Sequence, residues 1–161
     1  MEIGKVIINK QIEDSENYQK FLKIVKEKEI LVKRIKKGDR ISIEKNIYLD
    51  IIWPFQEQIT ENPLNNNSIV CKLNYYNFSM LFTGDIEKIA EEKILKEVNA
   101  EILKSYILKV AHHGSKTSSI AEFIKNVNPQ IAIIGVGENN KFGHPNNDVL
   151  NRLYELRCKN L

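Results

Sequence analysis

Tyr106-Ile107-Leu108-Lys109-Val110-Ala111-His112-His113-Gly114-Ser115 is the stretch on which the fold turns. Its first six residues form an apolar run of β type, which stops at two histidines and a glycine. Ser119-x-x-Glu122, with the spacing of a capping box, then opens a helix. The order β, loop, α holds on both sides of this stretch. Upstream, Phe78 to Phe82 ends at Thr83-Gly84-Asp85, and Ile86, Ile89, Ala90, Ile94 and Val98 fall on one stripe of a following helix. Downstream, Ile131 to Val136 is a continuous apolar run of the buried-strand type. A polar loop from Gly137 to Pro145 follows, and Asn146 or Asn147 is placed to cap a last helix. Strands alternating with helices predict an α/β architecture.

Further upstream, Ser68 to Leu73 and Phe78 to Phe82 flank Asn74-Tyr75-Tyr76-Asn77 as the arms of a hairpin. Pro54 to Asn67 lacks apolar periodicity, is rich in turn formers and reads as a surface loop. Ile30 to Ile35, Arg40 to Ile43 and Ile47 to Trp53 are three β-rich runs separated by plausible turns, the pattern of an antiparallel meander. Before them, Lys5 to Asn9 reads as a strand. Asp14 or Ser15 offers an N-cap for a helix through Lys28 that buries Tyr18, Phe21, Leu22 and Val25.

The 161 residues, 42% hydrophobic and 28% charged, suit one ordinary globular domain, 1–161, and argue against disorder of the whole chain. The formal charge of +3, from 24 basic and 21 acidic residues, is too small to argue for nucleic acid by itself. The lysines between Lys23 and Lys37 are interleaved with glutamate and read as a solvated face. Cys71 and Cys158 match no zinc-ligand spacing and are expected to be free thiols. No apolar run is long enough to cross a bilayer, and no anchor or export signal is expected within the chain.

Three loops, at Asp85, at His112-His113 and at His144, lie beyond strands and before helices, where ligands gather in α/β architectures. They hold all three histidines of the chain. Asp85 has two readings: N-cap of the helix starting at Ile86, or a carboxylate bridging two divalent ions. His112 and His113, adjacent on a strand end, should point to opposite sides, so that a single metal takes one of them. His113, beside the glycine, is the expected ligand, and His112 is left for substrate contact or for orienting a ligand. Ser115-Lys116-Thr117-Ser118-Ser119 at a helix start combines N–H groups, hydroxyls and an ammonium, which suits a phosphate oxygen; capping alone is the alternative. His144, in Phe142-Gly143-His144-Pro145, either lines the site or faces solvent.

Taken together, Leu81-Phe82-Thr83-Gly84-Asp85, Leu108-Lys109-Val110-Ala111-His112-His113-Gly114-Ser115 and Asn139-Asn140-x-Phe142-Gly143-His144-Pro145 resemble, in order and spacing, the later motifs of the metallo-β-lactamase domain of ComEC-type DNA-internalisation proteins. Lys37-Gly38-Asp39 and Leu49-Asp50-Ile51-Ile52-Trp53-Pro54 extend the likeness over nearly the whole chain. The resemblance implies an αββα sandwich with a two-metal site, zinc or manganese, and a hydrolase acting on single-stranded DNA beside a membrane-channel domain, on the extracytoplasmic face. A free-standing relative would instead be cytoplasmic. Asp85 would be the bridging ligand, one of His112 and His113 a ligand, and His144 part of the lining, with Ser115 and Lys116 near the substrate. The family's His-x-His/Asp-x-Asp-His motif has no counterpart here, because His112 is the first histidine. The expected fold is therefore an incomplete sandwich, lacking the segment with that motif and the strands after Cys158, and the expected site is one too poor in donors to complete two metal spheres. A non-catalytic binding module, or a hydrolase of another ester, is the competing reading.

Overall fold

The computed structural model describes residues 3–10 and 13–160. Its main sheet takes shape at the hairpin of β5 (Val70–Tyr75) and β6 (Phe78–Phe82), joined by a two-residue turn in which Tyr76 has a φ of 49°. Such turns need left-handed backbone to match the strand twist. On one side, β4 (Ile47–Trp53) and β3 (Arg40–Glu44) continue the sheet antiparallel. On the other, β7 (Ile107–Lys109), β8 (Ile131–Ile133) and β9 (Lys159–Asn160) add parallel strands. The order is β3-β4-β5-β6-β7-β8-β9, a mixed seven-stranded sheet.

Parallel neighbours require crossovers, and helices supply them. These are α3 (Lys88–Glu97) with the short α4 (Ala100–Leu103), then α5 (Ala121–Val127) and α6 (Asn147–Glu155). One row of side chains across the strands, Leu81, Leu108 and Ala132, lies in register and is at most 1% exposed. Against it pack Ile86 and the helix residues Ala90, Ile94, Phe123, Ile124, Val127, Val149 and Leu153. The alternate residues Met80, Phe82, Ile107, Ile131 and Ile133 are only half-buried, so the second face of the sheet is thinly covered.

Several expectations need correction. The three runs from Ile30 to Trp53 do not form one meander: β2 (Leu31–Arg34) leaves the main sheet and pairs parallel with β1 (Lys5–Ile8), across the helix α1 (Glu16–Glu27). A β-α-β unit folds back on itself in this way, and short apolar runs do not reveal which partner they take. On α1 only Val25 is buried, and Leu22 is 37% exposed. The segment from Pro54 to Asn67 is a surface loop only in part. It contains a short helix, α2 (Pro63–Asn66), and Pro54, Ile59, Asn66 and Asn67 are buried. Asn67 accepts from the Ile59 N–H and donates to the Ile59 and Pro63 carbonyls, all at 2.9 Å, which satisfies backbone that the loop carries inward. A strand, β9, does follow Cys158. Cys71 and Cys158 are unpaired thiols. Among the described residues no helix is long and apolar enough to cross a membrane.

Candidate metal and hydrolytic site

The ends of β6, β7 and β8 bring the expected loops together. At the end of β6, Gly84 has a φ of 56°, and a Cβ there would lie 2.7 Å from the Cβ of Ser68. Only glycine fits that turn without strain. The helix that follows begins at Lys88 with Glu87 in the cap position, so the N-cap role considered for Asp85 is not the one the fold uses. The Asp85 carboxylate lies instead 3.7 Å from His113, from Oδ1 to Nε2.

His112 and His113 do not continue a strand. They occupy a tight turn over Ala111–Gly114, with φ of 47° and 54°. Consecutive left-handed non-glycine residues are strained and persist only where the surroundings hold them, as they commonly do at functional sites. Here the His112 N–H donates to Gly84 O at 3.1 Å, Ser118 Oγ to Ala111 O at 3.0 Å, and the Asn146 N–H to Gly114 O at 2.9 Å. Gly114 has a φ of 76°, and a Cβ on it would meet the Pro145 Cβ at 2.8 Å. Gly114→Ala is therefore expected to cost about 2 kcal/mol of stability, read as a lower urea midpoint, whereas a surface Gly137→Ala control leaves the midpoint nearly unchanged.

The two imidazoles diverge. His113 Nδ1 lies 2.5 Å from Gly135 O, and since a carbonyl only accepts, Nδ1 carries the proton and Nε2 presents its lone pair on the side of Asp85. A backbone carbonyl that fixes a histidine tautomer in this way is the usual support of a metal-binding imidazole. His112 turns toward Glu87, with Nδ1 3.5 Å from Oε1, and its ring lies edge-on to His144 at 5.8 Å. His144 stacks on Phe142, and Asn140 pins that loop by accepting from the Phe142 and His144 N–H groups and donating to the His144 carbonyl. Burial, then the proximity of His112 and His113, lowers the His144 pKa below its ordinary value. Burial likewise lowers the Lys109 pKa, opposed by the charge of Asp85.

The segment from Ser115 to Ser119 departs from expectation. Helix α5 starts only at Ala121, Ser119 lies at a φ of 58°, and the Ser119-x-x-Glu122 capping box does not form. The Ser119 and Ile120 N–H groups instead donate to the carboxylate of Glu91 at 2.6 and 2.9 Å. The Ser119 and Ile120 N–H groups at this helix start are thus already taken by Glu91. Ser115 is 5% exposed and shares its hydroxyl with Thr117 at 3.0 Å, while Lys116 is exposed beside the histidine turn.

Two glutamates of the site were invisible to residue-type reasoning. Glu91 is one. Glu87 is the other: its carboxylate accepts from Asn62 at 2.9 Å, Asn66 at 3.3 Å and Thr117 at 2.9 Å. Burial pushes its pKa up, but these donors and the neighbouring His112 outweigh it and hold the carboxyl below its ordinary value. As a metal site, the arrangement supplies one carboxylate and one imidazole fit to share an ion. Among the described residues no group of three or more His, Cys, Asp or Glu could hold a metal. The donor set fits part of a coordination sphere, not a whole one.

No family model matches the chain. Among solved structures, a protein from Parabacteroides distasonis provisionally designated a metal-dependent hydrolase matches with a TM-score of 0.55 and 16% identity, over 98% of this chain and 63% of that one. The two share an α/β fold with a mixed sheet. Among curated proteins, ComE operon protein 3 of Bacillus subtilis is 32% identical over 151 residues, 94% of this chain and 19% of that protein. Competence protein ComA of Neisseria gonorrhoeae is 34% identical over 89 residues, 55% of this chain and 13% of that protein. The chain belongs to the ComEC family of competence proteins and spans a fifth or less of the length of these relatives.

Proposed function

We propose that the chain is the part of a metal-dependent phosphodiesterase domain that carries the bridging carboxylate Asp85 and the ligand His113, and that it serves DNA uptake in a ComEC-type protein. The observation that supports this most is the Asp85–His113 pair, 3.7 Å apart, with the histidine's other nitrogen held by Gly135 O. Two divalent ions, zinc or manganese, would supply Lewis acidity and an activated hydroxide when bound. Asp85 and His113 would help to hold those ions, His112 and His144 would line the site, and exposed Lys116 would offset phosphate charge. The remaining ligands and the second half of an αββα sandwich would come from sequence outside these residues. The half-buried face of β6, β7 and β8 fits a missing partner layer. Single-stranded DNA is the proposed substrate, a membrane-channel domain the proposed neighbour, and the extracytoplasmic face the proposed location.

The test is metal content, compared between this chain and a form extended at its N-terminus by upstream coding sequence. The extended form should hold about two ions and this chain few. Asp85→Ala in the extended form should lower hydrolysis of an oligonucleotide by more than about 100-fold, since it removes a ligand and not merely a ligand's support. Wild-type metal content and activity in that variant would remove the proposal. The incomplete donor set favours a second reading for this chain alone, a binding module without metal, and absence of metal from both forms would bring it forward.

A further inference from the structure

The Glu87 carboxylate stands among three hydrogen-bond donors from two segments: Asn62 and Asn66 from the loop after β4, and Thr117 from the histidine loop. Asn66 holds Glu87 from a second direction, since its Oδ1 accepts from the Glu87 N–H at 3.0 Å. A carboxylate held this firmly is a fixed acceptor, and His112 Nδ1 faces it at 3.5 Å. That nitrogen is buried and has no hydrogen-bond partner closer than this. Were Nδ1 bare, two lone pairs would confront each other in a water-poor spot. With a proton on Nδ1 the contact becomes attractive and the buried nitrogen gains its acceptor. The His112 side chain is 24% exposed, and none of that area lies at Nδ1.

We infer that Glu87 is a positioning residue that holds His112 as the Nδ1–H tautomer, so that Nε2 is the nitrogen His112 offers to a substrate. The inference rests on the phosphodiesterase reading for what Nε2 does, though not for how Glu87 holds the ring. It divides labour between adjacent histidines: His113 is oriented by a backbone carbonyl for a metal, and His112 by a carboxylate for substrate.

The decisive experiment is long-range proton–nitrogen NMR on histidine-labelled chain at about pH 8.5, above the ordinary imidazole range. With only three histidines, His112→Gln and His113→Gln assign the signals. Wild-type His112 should show the Nδ1–H tautomer, and Glu87→Ala should shift it to Nε2–H while His113 keeps its own. A wild-type His112 carrying its proton on Nε2 overturns the inference, and this arm needs no Glu87 variant to fold. Retention of Nδ1–H in Glu87→Ala overturns it equally. In the extended form, Glu87→Ala should lower kcat on bis(4-nitrophenyl) phosphate about 10- to 100-fold, with KM and metal content unchanged. Loss of metal instead would make Glu87 a support of the metal and overturn its assignment to His112. Nδ1–H on His112 without hydrolysis by the wild-type extended form would sink the phosphodiesterase reading while leaving the role of Glu87 in place.

Discussion

Glu91→Ala is expected to lose about 4 kcal/mol of folding stability, a large share of what a domain of this size possesses. Glu91 is fully buried on α3 and uses both carboxylate oxygens, on the Ser119 and Ile120 N–H groups. Truncation leaves two donors without partners, the Ser119 N–H buried and the Ile120 N–H partly so, each costing up to about 1–3 kcal/mol, and opens a void besides. It also unties α3 from the loop that carries His112 and Lys116, so disorder of that loop should accompany the loss. Glu91→Gln keeps one acceptor oxygen but sets an NH2 group against an N–H donor, and should cost about half as much. A urea titration followed by circular dichroism measures both, and a wild-type midpoint in Glu91→Ala would refute the account.

The same residue makes stability depend on pH. Burial raises the Glu91 pKa to about 7 against the pull of the Ile120 and Ser119 N–H groups and of Arg152. Between the ordinary carboxylate range and about pH 7 the folded protein therefore holds a proton that the unfolded chain has released. Stability from this group is present at the acidic end of that window, declines as pH rises through it and is level above. The span is of order 3 kcal/mol at most. Glu91→Gln should flatten that slope, and an unchanged slope would show that another group carries it.

Trp53→Ala should be comparably severe, at about 5 kcal/mol. Trp53 is fully buried, meets Phe55 edge-on with ring centroids 4.7 Å apart, and donates from Nε1 to Asn66 O at 2.7 Å. Asn66 in turn holds Glu87, so the damage should reach the site: signals of His112 should broaden or shift where those of a distant surface variant do not. Trp53→Phe fills most of the space without the N–H donor and should cost about 1–3 kcal/mol, isolating the hydrogen bond. Equal losses in the two variants would mean that the bond, rather than the packing, dominates. Because Trp53 is the single tryptophan, its emission follows wild-type unfolding, and ellipticity follows the variants.

Much of the frame was legible. The hairpin around Tyr76, the stripe of Ile86, Ala90 and Ile94, and the three loops beyond strands at Asp85, His112-His113 and His144 all follow from periodicity and turn chemistry, which act over a few residues. The motifs carried by those loops also sufficed for the family. What misled was partnership. The run from Leu31 to Arg34 looks like its neighbours Arg40–Glu44 and Ile47–Trp53, yet it pairs with Lys5–Ile8. Asparagines Asn66 and Asn67 look like solvated turn residues, yet they are buried because the loop carries backbone groups inward that need partners.

The chain alone determined which segments extend and which coil, and where its metal-capable side chains cluster along it, because those are properties of local backbone sterics and of apolar spacing. The tertiary structure decided what each polar group faces. Glu87 and Glu91 sit one position after Ile86 and Ala90, on the flank of an apolar stripe, where glutamates of a solvated face would stand as well. Only the folded molecule sets Glu91 against Ser119, Glu87 against Thr117 and His112, and His113 against Gly135. These partners lie more than twenty residues apart in the chain. They meet because burial forces polar atoms to find one another, and the closing of the sheet and helices, not any local preference, determines which are within reach.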